Sequence, residues 1–253
     1  MLFLLTGRVL SDRTLRSYGT CQHLLHFQYF LRDIGMMRDD FERFISIIGD
    51  ELPNQLKLRW ITNDKKYYLP FAKIENINTA FMNEETYDSN FDFGIYVDVF
   101  PIDSISKMSN RVKIRKSLIH KISVIRYYKS ISWKHSMLKK LVCMLAAPFA
   151  SQSQLHKVQT KLMIKENNKR PNFTANYGSN YKIVKQSVPL DVYGEGKRIF
   201  FENRLYNAPN EPELVLKTLY GNNFMELPPV EKRITHEPIY VKFSDGTEMR
   251  FDK

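Results

Sequence analysis

Gly94-Ile-Tyr-Val-Asp-Val-Phe-Pro-Ile-Asp103 sets a carboxylate inside an otherwise apolar run of β-branched and aromatic residues. The period of two in a strand puts Ile95, Val97 and Val99 on one face and Tyr96, Asp98 and Phe100 on the other. Pro101 is expected to end the ladder. Asp103 is then free to turn to solvent or to cap a helix beginning near Ser104. An Asp in such a strand is costly to bury unless it is paired or holds a cation. The plain alternative is an edge strand whose Asp faces water. A second acidic stretch, Leu31-Arg-Asp-Ile-Gly-Met-Met-Arg-Asp-Asp40, favours the first reading.

Outward from there the pattern sharpens. Asp39 and Asp40 suit a helix N-terminus. Phe41, Phe44, Ile45 and Ile48 follow helical spacing, and Gly49 offers a stop. Strands are expected at 56–62, 67–74 and 79–82, with a turn at Asn63-Asp64. Residues 107–168 read as helical, with Ile114, Leu118, Ile122 and Ile125 in near-helical register. Pro148 interrupts the apolar run Leu141–Phe149. A loop at 171–178, a short segment near Val184, a strand or turn at Lys197–Phe201 and a helix at Pro212–Leu219 closed by Gly221 complete the pass. This mixture predicts an α/β fold of α+β type. It forms a single domain over 1–253, with a helical insert at 104–170.

The net charge of +11 is concentrated in that insert. Residues 104–170 hold sixteen Lys/Arg and one acid, Glu166, so the insert is +15 and the rest of the chain −4. Lys139-Lys140 runs directly into Leu141–Phe149, and Tyr127, Tyr128 and Trp133 lie nearby. That combination favours an anionic membrane surface as partner. A nucleic acid is the weaker reading, because no binding signature accompanies the charge. A solvated helical face is the plain alternative. Two distant cysteines, Cys21 and Cys143, form no disulfide or zinc pattern and fit a reducing, cytoplasmic setting. Met1–Leu5 lacks the basic start and cleavage site of a secretory signal, and no apolar run is long enough to span a bilayer.

Carboxylates on neighbouring strands are the usual means of holding divalent ions against phosphate oxygens. Such sites commonly use an Asp-x-Asp pair plus a third Asp from the next strand. Asp33 can be the second member of the pair and Asp98 the third carboxylate, but Leu31 stands where the first should be. Lys73, in Pro70-Phe-Ala-Lys-Ile74, and Arg233, in Leu227-Pro-Pro-Val-Glu-Lys-Arg-Ile-Thr-His236, are candidate phosphate contacts. For Lys73 the competing reading is a snorkelling surface lysine. For Arg233 it is a loop packed over the C-terminal helix. His236 reads as a structural or surface histidine rather than a catalytic one.

Four blocks in order resemble the LicD family of phosphotransferases, related to fukutin and fukutin-related protein. They are Asp33–Phe44, Pro70–Thr79, Gly94–Asp103 and Leu219–His236. The resemblance implies a nucleotidyltransferase-like mixed sheet. It also implies transfer of a phosphorylated group, such as phosphocholine from CDP-choline, to a cell-surface glycan or a lipid-linked precursor. Mg²⁺ or Mn²⁺ would be the cofactor. Asp33 and Asp98 would be catalytic metal ligands, and Lys73, Arg233 and Gly7 would contact the substrate. The localisation implied is cytoplasmic, peripheral on the inner face of the membrane.

The N-terminal part departs from the family. Its pattern has a Gly-Gly-Ser/Thr turn and then Trp-Asp-Asp-Asp-Ile-Asp-Ile-Gly. Here Leu5-Thr-Gly7 starts the turn, Arg8 follows, and Phe30-Leu-Arg-Asp33 keeps only the last Asp. Between them lies a stretch rich in Arg, His, Tyr, Ser and Leu, with no Ile and one Val, which reads as out of frame. Impaired transfer is therefore expected. A catalytically inactive relic that keeps acceptor or membrane contacts is the alternative, and a basic nucleic-acid-binding protein a more distant one.

Overall fold

The computed structural model describes residues 2–4, 32–83, 93–130, 137–201, 204–226 and 238–251. The stretch that opens the sequence argument becomes the central strand of the main sheet, β6 (Tyr96–Ile105). β2 (Arg32–Met37) runs parallel to it, and β1 (Leu2–Leu4) pairs antiparallel with β2. β4 (Ala72–Asn76) pairs antiparallel with β6, and β3 (Leu56–Arg59) lies beyond β4. The order is β1-β2-β6-β4-β3, and β7 (Phe173–Ala175) joins the last third of β6.

β6 does not end at Pro101. β2 stays in register with it as far as Ile102, and β7 pairs from Asp103 to Ile105. Pro101 sits between the β4 pairs, which stop at Val99, and the β7 pairs, so neither of those strands needs its missing N–H. Gly94 is required at the entry to β6, because a Cβ there would lie 2.0 Å from the Asn76 carbonyl oxygen. The expected strand at 67–74 is shorter than its pattern, since 67–71 is irregular and only Ala72–Asn76 pairs. Likewise 60–62 forms a turn after β3. The expected loop at 171–178 contains β7.

α1 (Arg38–Glu51) leaves β2 without a loop and lays Phe41, Phe44, Ile45 and Ile48 over one face of the sheet. It passes through Gly49, which therefore does not stop it, and Leu52 N–H closes on Ile48 O at 3.1 Å. That face carries Ile34, Met36, Leu58, Ala72, Ile74 and Val99, alternate residues of their strands. Trp60 seals it, edge-on to Phe41 at 5.4 Å and to the His156 ring at 4.8 Å.

The basic segment folds into α2 (Asn110–Ser130), α3 (Met137–Ala146) and α4 (Gln152–Met163). Ser151 and Gln154 close a capping box at the start of α4. These helices are anchored in the core. The fully buried Arg126 donates to Tyr67 O at 2.9 Å, Gln159 Oε1 at 2.6 Å and Gln152 Oε1 at 3.2 Å. With only neutral oxygens in those bonds, burial draws its pKa down to about 10.

β5 (Ala80–Asn83), β10 (Pro238–Lys242) and β11 (Glu248–Arg250) form a second sheet. α5 (Leu190–Tyr193) is a single turn, and β8 (Lys197–Phe201) and β9 (Arg204–Ala208) form a two-stranded ladder. α6 (Pro212–Tyr220) ends at Gly221, whose φ of 95° only glycine adopts readily. The architecture is α+β. Among the described residues no helix is long and apolar enough to cross a membrane.

Candidate active site

Strand register builds the site. Asp33 on β2 lies opposite Asp98 on β6, Asp98 opposite Lys73 on β4, and Lys73 opposite Arg59 on β3. Residues at one register position project to the same face of a sheet. Four charged side chains from four strands therefore form one row, with two acids followed by two bases, on the face opposite the α1-covered core.

Lys73 is buried, so it is not a snorkelling surface residue. Its Nζ donates to Asp98 Oδ1 at 2.6 Å and lies 3.3 Å from the centre of the Tyr96 ring, with Phe71 and Phe93 further out. Burial pushes the ammonium pKa down, while Asp98, and then Asp33 and Glu75, pull it back up. Desolvation next to Asp98 and Asp33 likewise raises the Tyr96 phenol. Arg59 is committed elsewhere. Its Nε donates to Glu75 Oε1 at 2.5 Å and its NH1 to Asp64 Oδ2 at 3.0 Å.

Asp33 shows the imbalance of the row. Its carboxyl is raised to about 7, first by burial and then by the Asp98 charge, and Lys73 only partly offsets this. A buried carboxyl beside a second acid thus keeps its proton up to near neutrality. Two oxygen-donor carboxylates in register suit a hard divalent ion such as Mg²⁺ or Mn²⁺, with the other ligands left to phosphate or water. Asp33 and Asp98 are the residues of this row that could hold such an ion. The donor set is short, because among the described residues no group of three or more His, Cys, Asp and Glu side chains comes together.

Asp103 has a different place from the one expected. It is fully buried, neither solvent-facing nor a helix cap. Arg38, the first residue of α1, grips it with two bonds, Nε to Oδ1 at 2.8 Å and NH2 to Oδ2 at 2.7 Å. Asn167 Nδ2 adds a third at 3.0 Å.

Of the site residues expected from sequence, Asp33, Asp98 and Lys73 come together. Gly7 and Arg233 lie outside the described residues, as do Leu31 and the whole 8–31 stretch. Arg59 and Tyr96 were not anticipated as members. The alternation Leu56-Lys-Leu-Arg59 puts Arg59 on a polar face, but nothing in it gives the register with β4. No protein-family model, no curated protein and no solved structure matches this chain.

Proposed function

We propose that the β2–β6–β4 row is a metal-dependent site for transferring a phosphorylated group, with a nucleotidyltransferase-like sheet as its scaffold. The observation that carries this reading is the cross-strand register of Asp33, Asp98 and Lys73 on one face. On this reading Asp33 and Asp98 hold Mg²⁺ or Mn²⁺. When bound, the ion supplies charge neutralisation on diphosphate oxygens. Lys73 orients Asp98 and offers a buried ammonium to a phosphate. Arg233 and Gly7 keep the substrate-contact roles that the resemblance implies.

The LicD-like blocks make a CDP-activated donor of the phosphocholine type, and a glycan or lipid-linked glycan acceptor, the substrates to test. A cytoplasmic setting on the inner face of the membrane goes with them. Turnover in this chain is impaired, because Leu31 replaces a carboxylate that the metal pair requires. Loss of one group acting on transition-state charge costs about 10²–10³-fold in rate.

Calorimetry with Mn²⁺, alone and with CDP, tests the assignment. Binding that disappears in both Asp33→Asn and Asp98→Asn supports it, and binding that both variants retain rejects it. Hydrolysis or transfer from CDP-choline at the rate of an intact enzyme would show that the metal site has been misplaced. Mn²⁺ and CDP binding with no turnover would identify an inactive relic. Reading the coding DNA of codons 1–35 in the other frames should recover a glycine-rich turn and an acidic run. Their absence in every frame rejects the out-of-frame origin of 8–32.

A further inference from the structure

We infer that α3 and the chain just beyond it form a docking surface for an anionic lipid bilayer. A helix on a globular protein normally turns its apolar stripe inward and its charges outward. α3 does the reverse. Lys140 (7% exposed) and Cys143 face the protein, while Met137, Leu138 (75% exposed), Leu141, Val142 and Leu145 face out. Phe149, just past its end, is 96% exposed. A groove of about 440 Å³, lined by Val124, Tyr128, Leu138, Lys139, Val142 and Cys143, carries the apolar strip in between α2 and α3. Contiguous apolar surface of this kind marks a contact with a partner or a membrane.

Charge selects the occupant. The lone acid of 104–170, Glu166, is bound to Arg115 and accepts from Ser106 N–H. The exposed ionic groups of the three helices are therefore cations, among them Lys113, Lys121, Lys139, Lys157 and Lys161. A second copy docked through the same face would bring the same positive charge and be repelled. An anionic leaflet meets both needs, with headgroups for the lysines and acyl chains for Leu138, Leu145 and Phe149. At ten residues α3 is about 15 Å long, which suits lying in the interface and is too short to span it.

Flotation with vesicles of equal parts phosphatidylglycerol and phosphatidylcholine, and with phosphatidylcholine alone, tests this. Association with the anionic vesicles only, weakening as salt rises, is the expected result. Leu138→Glu combined with Leu145→Glu should lower the partition constant by more than roughly a hundredfold. Lys139→Gln should lower it roughly fivefold, the effect of about one near-surface charge. Phe149→Trp fluorescence should shift to the blue on anionic vesicles. It reads the same contact without disturbing the fold, should the double variant unfold. Equal flotation with neutral vesicles, no flotation with either, or binding that the double variant keeps overturns the inference. A concentration-dependent dimer that the double variant dissolves, without flotation, also overturns it and gives the face to a second copy.

Discussion

Asp98 and Asp103 stand five residues apart on one strand, each beside a cation, and they do opposite things. The odd separation sends them to opposite faces of β6. Asp103 is saturated by a bidentate Arg38 and by Asn167, with no second acid in those bonds. Asp98 accepts from the Lys73 ammonium at 2.6 Å and has a second acid, Asp33, as its neighbour in the register. The first arrangement matches charge to charge and locks α1 onto the sheet. The second sets two acids side by side in a buried row, and the Asp33 carboxyl is raised, first by burial and then by the Asp98 charge. On the proposed reading, the paired Asp103 belongs to the scaffold, and the Asp33–Asp98 pair is where a cation would bind.

The sharpest way to break this contrast is Arg38→Ala. It leaves Asp103 buried without its bidentate partner and should cost about 3–5 kcal/mol, measured by urea unfolding. A loss below about 1 kcal/mol would mean that Asp103 is not held as described.

The next largest effect has the opposite sign. Asp33 titrates near 7 in the folded chain against 3.8 ordinarily, so the folded state holds its proton more tightly. That group costs stability above pH 7, and the cost fades as pH falls towards 4. Asp33→Asn should therefore stabilise the fold at pH 8 by about 2 kcal/mol, below the roughly 4 kcal/mol of the full shift, and change little at pH 4. Destabilisation at pH 8 would put Asp33 with Asp103 among the scaffold groups.

The smallest effect concerns the lysine. Lys73 lowers the Asp33 pKa, so Lys73→Met should move the Asp33 midpoint further up, by about one unit. Carboxyl carbon chemical shifts followed against pH would show it. An unmoved midpoint would separate Lys73 from the row.

Much of this site was legible because its signals are local. Asp98 stands out in an apolar strand, Lys73 is a lone cation in another, and Asp33 opens a segment running into a helix. What misled was also local. Pro101 and Gly49 read as stops, yet pairing with β2 and β7 carries the strand through the proline, and packing of Phe41, Phe44, Ile45 and Ile48 carries the helix through the glycine. A penalty of about 1 kcal/mol for one mid-helix glycine is small beside the packing of the buried Phe41 and the partly buried Phe44, Ile45 and Ile48. The burial of Lys73 was not readable from its own strand alone, because Phe93 and Tyr96, which complete the aromatic surround that Phe71 begins, come from another segment.

The sequence alone determined that strands and helices are mixed, that the segment 104–170 is basic and mostly helical, and that carboxylates lie in two separate apolar settings. Periodicity and composition are properties of neighbouring residues, and neighbours suffice to read them. Only the tertiary structure decided that Asp33, Asp98, Lys73 and Arg59 share one row, that Arg38 closes on Asp103, and that α3 turns Lys140 inward and its leucines outward. Each depends on register or helix rotation between segments far apart in the chain. A one-residue slip in register would send a side chain to the other face of the sheet, and that choice is made by the packing of the whole core.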